Sequence, residues 1–406
     1  MVWIFSQILA RRNLAPLAAL FATLLILLSC VNGRFGNNAA RTLVDDLDRG
    51  SLRTAVQYSI AYLQKVSPEQ IVGEQPRRFT AGEILASLRE FDRLLDDWNC
   101  RTCFSLELER RFEFVPSSTD PVSKEVLFTG YYQPVIDGSL VRTEKFRYPI
   151  YGRPADLIIA EQVSLKPQIS IEKVIGRAEG ENFVPYYNRR EIDEESRLEG
   201  RGLEIAWVAD PIELFFLHIQ GSGIIRLPDG VQLNVGYAGQ NGWPYRSIGR
   251  FLVDSGKLTK DEISMQRLRR YLRENPREQN DIFNFNPSYI FFRANAAGPL
   301  GSLEVPVTAE RSLAMDSRLF PKGALVLVST EIPVVSSAGE LTGWRAVKRF
   351  MLNQDSGGAI RGPQRADIYF GADATAANLA GYMNRRGRVF FPVLRKTHQS
   401  LPRTDG

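Results

Sequence analysis

Residues Asn353 to Gly371 read NQDSGGAIRGPQRADIYFG, and no other stretch limits the fold as tightly. An apolar run, Ala346, Val347, Phe350, Met351 and Leu352, leads into it, and Ile368, Tyr369 and Phe370 lead out. Both flanks read as strands. Between them lie Gly357, Gly358 and Gly362, and glycine tolerates positive φ and close approach by another backbone. The stretch therefore predicts two strands joined by a glycine-rich loop, with Asp355 at one shoulder, Asp367 at the other, and one open space before both. A carboxyl buried near another carboxyl tends to hold its proton, as a general acid near neutral pH must. Asp355 also has a plainer reading, because aspartate ahead of Ser and Gly often caps a turn.

The other end of the chain gives the topology. Arg11 and Arg12 precede a charge-free apolar run, Leu14 to Leu28, that ends Leu27-Leu28-Ser29-Cys30. A basic start and an apolar core of this length fit a secretory signal better than a spanning helix, which needs about 20 residues. The ending looks like a bacterial lipobox, so residues 1–29 are expected to be a signal peptide and Cys30 a lipid anchor. Met1 to Ala10 is apolar, which a cleaved signal does not need, so a retained membrane anchor stays open. Val31 is not an Asp-type inner-membrane retention signal. The expected address is therefore periplasmic, on the outer membrane. The 51 basic and 46 acidic residues leave a net charge of +5, and no long basic run argues for nucleic acid. Cys100 and Cys103 form a C-x-x-C without a second pair, which disfavours zinc and leaves a local disulfide compatible with export.

Residues 30–50 read as a linker. Leu52, Val56, Ile60 and Leu63 share one helix face, and Thr80 with Glu83 makes a capping box flanked by the staple Phe79 and Ile84. From about residue 105 strand signals are expected to take over. Leu203 to Ala209 and Ile212 to Ile219 read as strands on either side of Asp210-Pro211, before Gln220-Gly221-Ser222-Gly223. A second capping box, Thr259 and Glu262, opens a helix over 257–274 whose arginines read as a solvated face. Strands then return at Tyr289–Phe292, Val305–Val307, Ala324–Ser329, Arg345–Leu352, Asp367–Phe370 and Val389–Val393, with one helix at Ala374–Met383.

DSGGAIRG followed by RADIYFG resembles the C-terminal signature of the membrane-bound lytic transglycosylase A family, whose members cleave peptidoglycan glycan strands. FTGYYQP at 128–134, HIQGSG at 218–223, GYAGQNGWPYRSIGR at 236–250 and NPSYIFF at 286–292 are similar to further motifs of that family, in its order. The resemblance covers about residues 125 to 395. It implies a mainly β fold with N-terminal helices: a double-psi β-barrel split in sequence by a second β domain, with a groove between them. The expected parts are 51–130 plus 286–395 for the helical layer and barrel, 131–285 for the inserted substrate-binding domain, and 396–406 for a tail.

The resemblance also carries the chemistry. Asp367 matches the family's catalytic aspartate and Asp355 the other acid of the pair. Thr129, Tyr131, Gln220, Ser222 and Gly358 fall in motifs expected to bind substrate, and Trp243 and Tyr245 could stack on sugar rings. The implied reaction is lytic transglycosylation of the β-1,4 bond between N-acetylmuramic acid and N-acetylglucosamine. One aspartate acts as acid and then base, leaving a 1,6-anhydro end. The implied class is a peptidoglycan lytic exotransglycosylase, a lyase, although the residues fit action along strands as well as from their ends. No metal or organic cofactor is implied. The expected partners are glycan strands, a membrane through the lipid, and other cell-wall enzymes. Rival readings are a two-carboxylate glycoside hydrolase on the same barrel and a non-catalytic wall-binding protein. An aspartic protease built from Asp254-Ser-Gly256 and Asp355-Ser-Gly357 is weaker, because Gly256 reads as a helix C-cap.

Overall fold

The first two helices stand where their signals put them. The computed structural model describes residues 45–118, 125–164, 170–294, 298–358 and 360–396; the expected signal peptide and Cys30 lie outside them. Helix α1 is Arg49–Leu63, and Asp48 caps it by accepting from Ser51 N. A short hairpin, β1 (Ile71–Gly73) and β2 (Phe79–Thr80), leads to α2 (Ala81–Leu94), where Thr80 Oγ1 accepts from Glu83 N. Phe79 and Ile84, the expected staple, are both buried. Strand signals begin later than expected. Arg101–Arg111 is a third helix, α3, opened by the Cys100–Cys103 disulfide. Its buried Phe104 and Leu108 are spaced i, i+4, too few positions to outvote the aromatic run after them.

The segment read as a linker is fixed to the body by residue 45. Asp45 is buried against Arg311 (2.7 Å) and accepts from Phe350 N, while Asp46 pairs with Arg345 and Arg349. Arg311 and Arg349 are themselves buried, so these carboxylates neutralise cations that water does not reach.

Strand β3 is Phe112–Pro116 and β4 is Val126–Tyr131. A long excursion follows: β5 (Val135–Ser139), β6 (Tyr148–Tyr151), β7 (Ile158–Ser164), β8 (Ser170–Glu179), β9 (Asn182–Pro185), helix α4 (Arg189–Asp193) and β10 (Glu204–Val208). Next come α5 (Pro211–Gln220), β11 (Ser222–Arg226), β12 (Gln232–Gln240), α6 (Ile248–Asp254), α7 (Met265–Glu274), α8 (Gln279–Phe285) and β13 (Ile290–Ala294). The chain then gives β14 (Ser312–Ala314), β15 (Leu325–Val335), β16 (Leu341–Asp355), β17 (Arg365–Tyr369), helix α9 (Ala374–Tyr382) and β18 (Asn384–Leu394).

Among the described residues, six strands close a barrel in the order β15-β16-β14-β17-β4-β18, sealed by pairing of β18 with β15, with β3 added on the outer side of β18. This is the β-rich, helix-fronted barrel expected. The excursion forms a second sheet, ordered β13-β12-β11-β5-β10-β6, and a smaller one, β7-β8-β9. Four of the six expected C-terminal strands belong to the barrel. The first, Tyr289–Phe292, is instead β13 and pairs with β12. Val305–Val307 is not a strand; only an isolated Leu300–Pro306 bridge forms there. The barrel is completed by β4 and by β14, whose three residues are too few to show a period.

Two further readings are corrected. Ile212–Ile219 is not a strand but most of α5, where Asp210 accepts from Ile212 N, Pro211 opens the helix and Gly221 (φ 76°) ends it. Ile212, Leu214, Phe215, Phe216 and Leu217 are all buried. A helix apolar all round has no 3.6-residue stripe to betray it. The Thr259–Glu262 capping box does form, yet it encloses one 3₁₀ turn, and Ser264 caps α7 afresh. Nor is α7 wholly solvated: Arg269 lies 4.0 Å over the Phe216 ring and donates to Tyr132 Oη and Glu213.

Candidate active site

Register brings the two acids into one row. Asp367 on β17 lies opposite Thr129 of β4 on one side and Ala314 of β14 on the other, and Ala314 lies opposite Asp355 of β16. Directly opposed residues project to the same face of a sheet. Thr129, Asp367, Ala314 and Asp355 thus form a line across four strands, with the acids two strand spacings, about 10 Å, apart at their Cα atoms. Ala314, between them, fills almost none of the gap. Tyr131, two residues beyond Thr129 and so on the same face, reaches across it, and its hydroxyl donates to Asp355 Oδ2 (2.9 Å).

The two carboxylates are held differently. Asp355 Oδ1 accepts from the backbone N–H of Ser302 and of Ser356, both at 2.8 Å, and Oδ2 takes Tyr131. Burial pushes its pKa above the usual 3.8, against the pull of those hydrogen bonds. Burial, then the Asp355 charge, holds the Tyr131 hydroxyl well above its ordinary range, so it remains a donor. Asp367 Oδ1 accepts from Thr129 Oγ1 (2.5 Å) and Arg365 Nε (3.1 Å); a second Arg365 nitrogen stands 3.3 Å from Oδ2. The Asp367 side chain keeps 13% of its accessible surface, so it is not sealed in the interior.

Arg365 was not among the residues expected at the site. The signal was available: in a strand, residues i and i+2 share a face, which puts Arg365 beside Asp367 once β17 is recognised. Arg365 also lines a cleft of about 430 Å³ together with Gly358 and Arg361 of the signature loop, Tyr245, and Arg246, Arg250 and Asp254 around α6. Neither aspartate forms its wall; Arg365 links the cleft to Asp367. The loop between the acids is fastened from below, where Gly362 N donates to the buried Asp316 (2.8 Å). The Arg318 guanidinium holds the Asp316 carboxyl down at about 2.

The remaining candidates divide. Gly358 is exposed at the cleft, and Tyr245 borders it. Gln220 ends α5 with its side chain engaged: Oε1 accepts from Tyr132 N (3.0 Å) and Nε2 contacts Met265 Sδ. It thus ties the second sheet's helix to the end of β4. Ser222 begins β11, half-buried, one turn further on. Trp243 donates its indole N–H to Tyr186 O (2.7 Å), which fixes its loop. His218 is buried, with Nδ1 accepting from Ile290 N, and desolvation keeps it neutral. Asp254, half of the protease alternative, pairs with Arg250, and Gly256 follows α6 with φ 70°, the C-cap expected.

Comparisons with known proteins agree on one family. Residues 127–293 match the MltA specific insert domain and residues 311–392 match the 3D domain. Membrane-bound lytic murein transglycosylase A of Escherichia coli K12 is 33% identical over 268 residues, 65% of this chain and 65% of that protein. Among solved structures, a membrane-bound lytic murein transglycosylase from Agrobacterium tumefaciens superposes with a TM-score of 0.70 at 30% identity, covering 86% of this chain and 93% of that one. E. coli MltA with bound chitohexaose superposes with a TM-score of 0.62 at 26% identity, over 84% and 90% of the two chains.

Proposed function

The chain belongs to the membrane-bound lytic murein transglycosylase A family, and from that membership and the row of residues at its centre we propose that it is a peptidoglycan lytic transglycosylase. Its substrate is the β-1,4 bond between N-acetylmuramic acid and N-acetylglucosamine. The glycan lies in a groove between the barrel and the inserted sheet. The protein works exported, tethered by a lipid on Cys30.

In this reading Asp367 is the catalytic residue. Thr129 and Arg365 hold its Oδ1, while Oδ2 meets only a second Arg365 nitrogen at 3.3 Å, and we assign the proton to Oδ2. That proton passes to the glycosidic oxygen, the C1–O bond breaks, and the glucosamine-bearing fragment leaves as an alcohol. The muramoyl C6 hydroxyl then closes on C1, and its proton returns to Asp367, giving a 1,6-anhydro ring and the starting enzyme with no water consumed. General acid catalysis of this kind supplies about 10²–10⁴ in rate. Asp355 acts as a positioning residue: it orders Ser302, Ser356 and Tyr131 around the space where charge develops on the sugar.

The observation that carries the single-acid reading is the occupancy of Asp355. Oδ1 takes two backbone amides and Oδ2 takes Tyr131, so most of its acceptor capacity is spent on the protein rather than on a water. A two-acid hydrolase has one observation in its favour: burial raises Asp355, as it would the acid of such a pair. Mass spectrometry of digested peptidoglycan separates them. The proposal expects products one water lighter than those of a hydrolase; reducing ends of hydrolytic mass overturn it.

A further inference from the structure

The cleft beside Asp367 is basic from both walls. Arg361 and Arg365 approach from the barrel side, Arg246 and Arg250 from the start of α6. Two of the four have acids: Arg365 pairs with Asp367 and Arg250 with Asp254. Among the described residues, neither Arg246 nor Arg361 has an acidic partner. Two like charges left uncompensated around about 430 Å³ repel, and an anion between them relieves that repulsion.

Nor is Arg246 loosely placed. Its backbone N–H donates to Oδ1 of the buried Asn286, whose carbonyl is in turn held by the buried Arg189. Buried Asn241 fixes the same loop through Tyr187 O, Pro287 O and Tyr289 N. The guanidinium stands over Phe285, 6.0 Å from the ring centre. A rigid loop presenting a cation across from a second cation is the arrangement that recognises a planar anion, and guanidinium forks match carboxylates.

We propose that Arg246 and Arg361 bind a carboxylate carried on the muramoyl residue, so that the cleft reads the sugar's 3-O-lactyl arm rather than the glycan backbone. The inference rests on the transglycosylase reading for the identity of the polymer. A chain of N-acetylglucosamine alone is neutral. N-acetylmuramic acid bears a lactyl carboxyl that is either free or amide-linked to a peptide with carboxylates of its own. Either source offers the same chemistry. Clamping that arm next to Asp367 would set which glycosidic oxygen faces the acid, which a run of similar sugar rings does not do by itself.

The test is binding, so that it does not depend on turnover. Full-length protein carrying Asp367→Asn, alone and with Arg246→Gln and Arg361→Gln added, is titrated with three ligands: peptide-bearing glycan strands, strands stripped to free lactyl carboxylates by an amidase, and chitohexaose. For two exposed ion pairs the expected loss is about fivefold in affinity for at least one anionic strand, shrinking as salt rises, with chitohexaose unchanged. Loss on peptide-bearing strands alone assigns the carboxylate to the peptide, and loss on stripped strands alone assigns it to the lactyl group. Equal loss on chitohexaose, or no loss on either anionic strand, overturns the proposal. Absence of an anhydro product from the wild type would instead overturn the transglycosylase reading and leave these affinities to be read independently.

Discussion

The two shoulders of the glycine-rich loop carry the same side chain in the same row of one barrel, and the protein treats them in opposite ways. At one, Asp355 has its oxygens engaged by two backbone amides and a tyrosine while desolvation favours its protonated form. At the other, Asp367 meets a hydroxyl and a guanidinium at the edge of a cleft. The difference comes from the partners the register supplies, not from the acids themselves. β4 serves both shoulders, with Thr129 turned to Asp367 and Tyr131 to Asp355. On the proposed reading, the pair is one reacting group and one scaffold group.

The most direct way to break this contrast is to neutralise each acid in turn. Asp367→Asn is expected to lower cleavage of peptidoglycan by about 10²–10⁴ while the variant still binds glycan. If it cleaves at the wild-type rate, Asp367 is not the reacting group and the two shoulders have been assigned the wrong way round. The next largest effect comes from Gly130, the residue between Thr129 and Tyr131 on β4. A Cβ on Gly130 would stand 2.6 Å from Ala380 Cα and 2.8 Å from the Phe370 ring, because α9 crosses β4 there. Gly130→Ala should cost about 1–3 kcal/mol in chemical denaturation. It should also lower activity beyond what lost stability explains, because Thr129 and Tyr131 would shift together. A variant as stable as the wild type shows that the two shoulders are not set by a common strand.

Much of this site was legible because it depends on local spacing. Two apolar runs around glycines predict strand, loop and strand, and the acids at the ends follow. Arg365 was equally within reach, since a strand period of two puts it beside Asp367. What stayed hidden depends on pairing between distant segments. Ala314 belongs to a three-residue strand, and nothing in Ser-Leu-Ala announces that it will separate Asp355 from Asp367. The ion pair of Arg311 with Asp45 spans 266 positions, and each residue alone reads as surface charge. Helix α5 failed for another reason: its apolar residues face the core on every side, so only Asp210, Pro211 and Gly221 at its ends carried the signal.

The loop joining the shoulders offers a smaller test. Arg318 and the backbone N–H groups of Gly362 and Arg318 hold Asp316 near 2, below its usual 3.8. A depressed acid contributes stability above its unfolded pKa and loses it as pH falls through the folded value. Asp316→Asn should therefore destabilise the protein at pH 7 by no more than about 2 kcal/mol, a ceiling lowered by the exposure of Arg318, and the deficit should close toward pH 2. Since Gly362 N loses its carboxylate, the loop should also become more sensitive to proteolysis between Gly357 and Gly362. A deficit that stays constant with pH would mean that Asp316 acts by shape rather than by charge.

Asp355 reverses that sign, and the reversal is the finest test of the contrast. Its folded pKa is raised, so the native state binds the proton more tightly than the unfolded chain. Its contribution is fully present below about 3.8 and is lost as pH climbs through the raised folded value. An asparagine keeps Oδ1 for Ser302 N and Ser356 N, and its amide can donate to a Tyr131 hydroxyl rotated to accept. Asp355→Asn therefore removes the cost of charging a buried carboxyl without emptying its place. Relative to the wild type, its melting temperature should gain as pH rises from 3 to 7, the opposite trend to that of Asp316→Asn. A wild type that gains on the variant over the same range would mean that the hydrogen bonds outweigh burial, and that Asp355 is held as a carboxylate after all.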